Sequence, residues 1–173
     1  MCAGKVIVQG ENDLRTIYPS IAKEWHAAKN GSLTPQTVSP YSNRKVWWIC
    51  ERGHAYQPVV AARTMHGSGC PYCAGRKVLR GFNDLATVDP QTAAQSHPTL
   101  NSNLTPEMVT AGSHKKVWWV CSEGHVWKAA VYSRTGSRKS GCPVCAGKVR
   151  RKTRDRFRIN DFDSAKQTTR RRA

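Results

Sequence analysis

The stretch that decides the fold reads KVWWICERGH at residues 45–54 and is followed by GCPYC at residues 69–73. It returns downstream as KVWWVCSEGH at residues 116–125, followed by GCPVC at residues 141–145. Each copy supplies a cysteine and a histidine separated by three residues, and then two cysteines separated by two residues. Four thiolate or imidazole ligands in two closely spaced pairs are what a closed tetrahedral zinc site requires.

The sequence therefore predicts two structural zinc ions, one for each copy of the stretch. Zinc is preferred because thiolate and imidazole suit it, and because four protein ligands leave no open position for a catalytic water. His26 and His97 also match between the copies and stay open as alternative ligands. The predicted ligands are Cys50, His54, Cys70 and Cys73 at the first site and Cys121, His125, Cys142 and Cys145 at the second.

Cysteine usage favours a reduced, metal-binding protein over a disulfide-bonded one. Six of the seven cysteines belong to the two ligand sets, and Cys2 is left without an assigned role. The apolar run that follows Met1 is too short for a secretory signal or a membrane span. We therefore expect a cytoplasmic protein of a bacterium or a phage-infected cell, associated with the nucleoid if it binds DNA.

The chain is a tandem repeat of a whole folding unit. Asn12-Asp13-Leu14 recurs as Asn83-Asp84-Leu85, and Thr34-Pro35 recurs as Thr105-Pro106, in both cases 71 residues later. Because matching positions extend far beyond the metal ligands, the repeat is a small domain and not merely a metal clip. The sequence predicts zinc-binding modules at residues 12–79 and 83–149, each a small zinc-stabilised α+β unit.

The N-terminal half of each module is expected to be helical. In the first, Asn12 or Asp13 caps a short helix that ends before Pro19, and a second helical stretch covers residues 21–28. Spacings of three and four residues predict one apolar stripe, formed by Leu14, Ile17, Ile21 and Trp25. Since Ser96 stands where the first module has Trp25, we expect the second module to be less well packed there.

Each ligand pair lies next to a predicted strand. Residues 45–49 are rich in β-branched and aromatic side chains, and residues 55–60 form the returning strand. Neighbouring residues on a strand face opposite sides, so Trp47 and Trp48 cannot enter the same small core. One ring of each pair packs inside, while the other packs against the returning strand or lies at the surface, where it could stack on a base.

The chain is strongly basic. The formal net charge is +17, which becomes about +15 when six thiolates and two Zn²⁺ ions are included. This excess points to a polyanion, most often nucleic acid, with an acidic membrane surface or solubility as alternatives. The last 26 residues, from Lys148, hold eleven Lys and Arg against three Asp. With few apolar side chains, residues 150–173 are expected to be a basic tail that is disordered when unbound.

Candidate contacts to nucleic acid follow from this charge. Two arginines retained between the copies, Arg63 and Arg134, lie between the metal turns and are expected on a phosphate-contacting surface, although scattered basic residues are usually only a solvated face. The other candidates are Lys128, Arg138 and Lys139 in the second module and, in the tail, Arg150, Arg151, Lys152, Arg154, Arg156, Arg158, Arg170, Arg171 and Arg172.

The order of motifs resembles the bacterial and phage family described as a "probable zinc-ribbon", or treble-clef-like, domain. The resemblance rests on Lys-Val-Trp-Trp-x-Cys, on Gly-His and on Gly-Cys-Pro-Tyr-Cys, and it covers nearly everything except the tail. It implies a zinc-binding nucleic-acid module of a kind often found in tandem and beside nuclease domains. The chain departs from the pattern at Ser96, and no nuclease domain accompanies the repeats.

The sequence favours a non-enzymatic protein. It shows no paired carboxylates at a metal site, no glycine-rich phosphate loop and no histidine-centred nuclease motif. We expect binding to nucleic acid, with duplex DNA favoured over RNA, mainly through phosphates, since no recognition helix with base-reading side chains is evident. The alternative is an adaptor that recruits or regulates a nuclease or another nucleic-acid enzyme.

Overall fold

The protein folds as two compact units that each carry one copy of the repeat. A computed structural model describes residues 6–137, 139–149 and 157. The units are Met1–Arg76 and Lys77–Ala173. No helix within the described ranges is long and apolar enough to cross a membrane.

The first unit places short helices before and after a small β-hairpin. In chain order its elements are α1 (Leu14–Ile17), α2 (Pro19–Ala22), α3 (Ala27–Asn30), a 3-10 turn (Pro35–Thr37), β1 (Trp48–Ile49), β2 (Ala55–Tyr56) and α4 (Val60–Thr64). The two strands are antiparallel, with Trp48 opposite Tyr56.

The second unit repeats this order with a longer hairpin and, among the described residues, without a helix that corresponds to α3. Its elements are α5 (Leu85–Val88), α6 (Pro90–Ala93), a 3-10 turn (Pro106–Met108), β3 (Lys116–Val120), β4 (Val126–Ala130) and α7 (Val131–Thr135). The strands pair antiparallel along their full length, so that Trp118 lies opposite Lys128 and Trp119 opposite Trp127.

A buried aspartate begins the helical part of each unit, as the sequence predicts for Asp13. Its carboxylate accepts hydrogen bonds from the backbone of Thr16 at 3.0 Å, from the Thr16 hydroxyl at 2.8 Å and from the backbone of Gly10 at 2.6 Å. Asp84 accepts the equivalent three bonds from Thr87 and Gly81. Burial alone would raise the pKa of both carboxyls, but these hydrogen bonds outweigh it and hold the pKa below the ordinary value.

The prediction of a continuous helix over residues 21–28 is wrong. The chain leaves the helix after Ala22, and Trp25 pairs with Trp48 in an isolated β-bridge. The backbone N–H of Ile49 donates to the carbonyl of Glu24 at 2.7 Å. This segment therefore lies along the free edge of β1, a long-range pairing that local apolar spacing does not reveal. The second unit repeats it, with Ser96 beside Trp119.

A fully buried tryptophan lies at the centre of each core. Trp48 and Trp119 expose none of their surface, and the smaller apolar side chains pack around them. The predicted stripe is correct at Leu14 and Trp25, which are buried. It is wrong at Ile17, the last residue of α1, which is 47% exposed.

The second unit makes different contacts in the region where Ser96 replaces Trp25, and the looser packing expected there stays a prediction. The ring of Trp25 meets Trp48 edge-on with centroids 5.5 Å apart, whereas the second core has the larger Trp127 buried at the position of Tyr56 in the first. In addition, the Asp89 carboxylate caps α6 by accepting from the Thr92 backbone at 3.0 Å and from its hydroxyl at 2.9 Å. Within the described part of the first unit, the corresponding helix α2 has no side-chain cap.

The expected basic tail, residues 150–173, lies outside the described residues except for Phe157. That ring and the side chain of Val149 pack against the core of the second unit. Cys2 also lies outside the described residues.

Replacement of Asp89 by alanine tests the cap of α6. Removal of the carboxylate leaves the first amide groups of the helix without an acceptor, so amide exchange across residues 90–97 should become several-fold faster. Hydrogen exchange at neutral pH measures this, with Gln91→Ala, an exposed change on the same helix, as the matched control. The equivalent stretch of the first unit, residues 19–26, should keep its protection. Unchanged exchange in the Asp89→Ala protein would contradict the role given to the cap.

Candidate metal centres and the outer hairpin faces

The first ligand pair of each unit lies on the tight turn of its hairpin. In the first unit the backbone N–H of Cys50 donates to the carbonyl of His54 at 3.2 Å, and that of Gly53 donates to the carbonyl of Cys50 at 2.8 Å. Gly53 and its equivalent Gly124 have φ angles of +80° and +73°, a backbone conformation that favours glycine. The turn thus points a thiol and an imidazole toward the same place.

The second ligand pair lies on a separate turn near the end of each unit. The backbone N–H of Ala74 donates to the carbonyl of Cys70 at 3.0 Å, and Ala146 does the same to Cys142 at 3.0 Å. This turn of the chain puts two cysteines on one side. Cys70 and Cys142 are buried against the cores, while Cys73 and Cys145 are exposed.

The two turns bring the four ligand side chains of each unit together. In each unit the four ligand atoms all lie within 4.8 Å of one another. The thiols of Cys50 and Cys73 are 3.8 Å apart, as are those of Cys121 and Cys145. Tetrahedral zinc with bonds of about 2.3 Å to sulfur requires sulfur atoms about 3.8 Å apart. The spacing of the donors therefore fits zinc.

The imidazole nitrogen fits the same tetrahedron. His54 Nδ1 lies 3.5 Å from the thiol of Cys50, 3.3 Å from that of Cys73 and 3.7 Å from that of Cys70. Bonds of about 2.0–2.1 Å to nitrogen and 2.3 Å to sulfur place these atoms about 3.5 Å apart. In the second unit His125 Nδ1 lies 3.5 Å from Cys121 and 3.4 Å from Cys145.

Three thiolates this close together repel one another, so a cation is needed for all three to be deprotonated at one site. The pKa of Cys50 is lowered, because desolvation is outweighed by hydrogen bonds from the backbone and from the other thiols. Although Cys73 and Cys145 are exposed as residues, desolvation at the thiol and the neighbouring thiols instead raise the pKa of Cys73 to about 11 and that of Cys145 to about 12. A zinc ion reverses this preference by binding the thiolates and displacing their protons. The predicted ligand sets therefore form two Cys₃His sites that fit two structural zinc ions, one in each module.

The alternative histidine ligands belong to neither group in the part of the chain that the structure describes. His97 is buried, and its Nδ1 accepts hydrogen bonds from the backbone of Thr99 and Leu100, both at 3.3 Å. This ring holds a turn of the second unit. His26 is half-buried, and its backbone N–H donates to the carbonyl of Trp47 at 3.1 Å.

Arg63 is an interior residue, which corrects its assignment to a phosphate-contacting surface. It is only 6% exposed. Its guanidinium donates to the carbonyl of Ser68 at 2.7 Å, just before the second metal turn, and forms an ion pair with Glu24 at 2.6 Å. The Tyr56 hydroxyl donates to the other oxygen of Glu24 at 3.0 Å. Arg63 thus ties the Cys70 turn to the segment that pairs with β1.

Arg134 has the same interior position in the second unit, and its surface assignment is corrected in the same way. It is 5% exposed and donates to the carbonyl of Ser140 and to the side-chain oxygen of Gln95. Its guanidinium carbon lies 5.1 Å from the ring centroids of both Trp119 and Trp127. Burial lowers the pKa of Arg134, although a guanidinium keeps its charge in proteins.

The partners of the two arginines differ in charge, a feature that the sequence analysis missed. Glu24 and Tyr56 in the first unit correspond to Gln95 and Trp127 in the second. Zinc with three thiolates and a neutral imidazole carries one negative charge, which a nearby guanidinium can offset. In the first unit Glu24 competes for that guanidinium. Glu24 and Gln95 are far from the arginines in sequence, so no local pattern connects this change in charge to the arginines.

The outer tryptophan of the first unit lies on the hairpin face opposite the core. Trp47 is half-buried, while its neighbour Trp48 is fully buried, as strand alternation predicts. The Lys29 ammonium lies 4.4 Å from the centroid of the Trp47 ring. Asn30 fixes the backbone of Trp47, accepting from its N–H at 2.7 Å and donating to its carbonyl at 2.8 Å.

The second unit builds the same arrangement with a lysine from another element. Trp118 is half-buried, and the ammonium of Lys128, a predicted nucleic-acid contact, lies 5.5 Å from its ring centroid. Asn101 accepts from the Trp118 N–H at 2.7 Å and donates to its carbonyl at 2.9 Å. The ring and its amide clamp are thus retained, while the cation comes from β4 instead of α3.

The remaining predicted basic contacts are placed as follows. Lys139 is exposed and pairs with Asp89 at 3.0 Å, so part of its charge is offset within the unit. Arg138 and the predicted tail contacts lie outside the described residues: Arg150, Arg151, Lys152, Arg154, Arg156, Arg158, Arg170, Arg171 and Arg172.

Comparison with known proteins identifies one family. A sequence model of the domain described as a probable treble clef zinc finger matches residues 21–76 and again residues 92–148. Both matches contain all four ligands of their unit. No curated protein matches the chain.

Single ligand substitutions test whether the two zinc sites are independent. Metal analysis of the native protein should return two zinc ions per chain, and both Cys70→Ser and Cys142→Ser should return one, since each unit has its own ligand set. Structural zinc contributes about 10–16 kcal/mol of apparent binding free energy, so the altered unit should also unfold. Absence of both ions from either variant would contradict independent sites.

Paired substitutions test the interior arginines. Arg63→Ala leaves the Glu24 carboxylate without its cation, whereas Arg134→Ala leaves only the neutral Gln95. Arg63→Ala should therefore lower the free energy of unfolding by about 1–3 kcal/mol more than Arg134→Ala does. Adding Glu24→Gln to Arg63→Ala should recover part of that difference. Urea unfolding of the zinc-loaded variants measures it, and equal destabilisation without recovery would show that the ion pair contributes nothing.

Proposed function

The chain belongs to the probable treble clef zinc finger family, and from that premise we propose that it is a non-enzymatic protein that binds nucleic acid. Its zinc ions hold the fold, and the surfaces of the folded modules and the basic tail contact phosphates. The form we propose is duplex DNA, in the cytoplasm. Sequence-specific readout forms no part of the proposal, because phosphate contacts carry no base information.

The distribution of charge supports a polyanionic partner. Residues 1–76 and residues 77–149 each hold nine Lys and Arg against four Asp and Glu, and residues 150–173 hold ten against three. Acidic groups are also directed inward. Asp13 and Asp84 are buried helix caps, Glu24 pairs with Arg63, and Asp89 caps α6. Arg63 and Arg134 are interior as well, but the remaining Lys and Arg outnumber the remaining acidic groups, so the surfaces of both modules keep an excess of positive charge.

The outer hairpin faces are the observation that carries the proposal. Residues two apart on a strand share a face, so Lys116 lies on the same side of β3 as Trp118, and Lys128 lies opposite Trp118 on the paired strand. In the first unit Lys45 precedes Trp47 by the same two residues, burial alternates in the same way from Lys45 to Trp48, and Lys29 lies over the ring. Two cations beside an aromatic ring, present in both units, are suited to the phosphates and sugars of a nucleic-acid backbone.

The zinc sites have a structural part in this function. All four positions of each tetrahedron are filled by protein ligands, so an ion bound there has no position for a reacting water. The metal turn with the Cys-x3-His pair joins the two strands of the hairpin that bears the outer tryptophan. This turn therefore determines how the two strands are oriented. We therefore propose that removing zinc abolishes binding by removing the folded surface.

A salt series tests the proposal. For each phosphate contact that is removed, the slope of log affinity against log salt should become shallower by roughly 0.9 on duplex DNA. Glutamine in place of Arg150, Arg151, Lys152, Arg154, Arg156 and Arg158 eliminates six tail charges while keeping Phe157, which packs on the second core. We expect a shallower slope and weaker binding at low salt, with unchanged preference among sequences.

The matched control keeps the charge of the tail and changes only the chemistry of its cations. Lysine in place of the five arginines among these six positions should leave the salt slope unchanged, because counterion release depends on charge. An unchanged slope in the glutamine variant would exclude the tail from the binding surface. Absence of duplex binding by the native zinc-loaded protein at low salt would overturn the proposal and favour an adaptor for a nucleic-acid enzyme.

A further inference from the structure

The outer tryptophans lie outside the core clusters of their units. The two core clusters found among the described residues contain Trp48 and Trp119 but neither Trp47 nor Trp118. A half-buried indole outside the core keeps apolar ring surface at the protein boundary, where a small polar residue would cost less. A single apolar side chain at the surface needs no explanation by itself, but the same ring beside a lysine in both units is an arrangement suited to a partner.

Each outer ring is held by a rigid backbone. The side-chain amides of Asn30 and Asn101 each make two hydrogen bonds to the backbone of their tryptophan, at 2.7–2.9 Å. The next residue on each strand, Trp48 or Trp119, is fully buried and fixes the strand from its other side. A ring on such a support is positioned in advance, which reduces the ordering cost of binding a planar partner.

The lysine beside each ring points to an anionic partner with planar groups. Lys29 and Lys128 come from different elements, yet both place an ammonium within 5.5 Å of the ring centroid. Both side chains are exposed. An exposed cation–π contact is weaker than the stacking of a base on the same ring. When a nucleic-acid strand binds, the lysine ammonium can therefore contact a phosphate while a base stacks on the face of the indole ring.

We propose that the outer faces of Trp47 and Trp118 are stacking sites for unpaired nucleobases, with Lys29 and Lys128 as the adjoining phosphate contacts. This inference rests on the proposed nucleic-acid binding and deepens it. The bases of a continuous duplex are already stacked on each other and offer few free faces to an indole. The protein therefore binds DNA that contains a single-stranded segment more tightly than a blunt duplex of equal charge.

The test compares two labelled ligands on the full zinc-loaded chain, an oligothymidylate and a blunt duplex of matched charge. Trp47→Ala combined with Trp118→Ala should weaken binding of the oligothymidylate by about tenfold or more and change binding of the duplex much less. Trp47→Phe combined with Trp118→Phe keeps an aromatic face and should restore most of the affinity. Zinc content verifies that each variant is folded.

The matched control is Lys45→Ala combined with Lys116→Ala, which removes charge from the same faces and should weaken both ligands alike. Equal weakening of the two ligands in the tryptophan variant, or undiminished binding of the oligothymidylate, would overturn the stacking inference while leaving nucleic-acid binding intact. Binding of neither ligand by the native protein would instead overturn the proposed function itself.

Discussion

Coordination of one zinc ion by two separate turns is the constraint on which each module depends. The helices have only four or five residues, and the hairpin of the first unit pairs two residues on each strand. Isolated helices of this length are unstable in water, and so is an isolated two-stranded hairpin. A metal that joins the hairpin turn to the later cysteine turn closes the unit around its buried tryptophan. The same ligand geometry in both units explains why so little regular structure suffices.

The interior arginine transmits that constraint to the rest of each unit. Arg63 and Arg134 bind the carbonyl just before the Cys-x2-Cys turn, and they also bind the side chain of the segment that lies along the hairpin edge. The side chains that surround this buried cation differ between the two copies. The first uses a carboxylate and a tyrosine, and the second uses an amide and a tryptophan. The metal turn, the edge segment and the central tryptophan are thereby connected by one side chain.

The sequence predicts the parts of this structure that local chemistry determines. Ligand type and spacing give the metal sites, strand alternation separates Trp48 from Trp47, and the polar residue before Leu14 gives the first helix cap. Prediction fails where distant segments decide. Trp25 leaves the predicted helix because it pairs with Trp48, and Arg63 looks like a surface cation because its partners, Glu24 and the Ser68 carbonyl, are brought to it only by the fold. The amide clamps of Asn30 and Asn101 likewise act across seventeen residues of sequence and have no local signature.

We therefore view the protein as two zinc-stabilised modules. The hairpin of each module buries one tryptophan and, as we propose, presents the tryptophan just before it, beside a lysine, to nucleic acid. The most direct test is the NMR spectrum of the six indole N–H groups during titration with single-stranded DNA. We expect the signals of Trp47 and Trp118 to shift with added DNA, while those of the core tryptophans, Trp48 and Trp119 above all, stay in place. Shifts confined to the core tryptophans, or none at saturating DNA, would contradict this view.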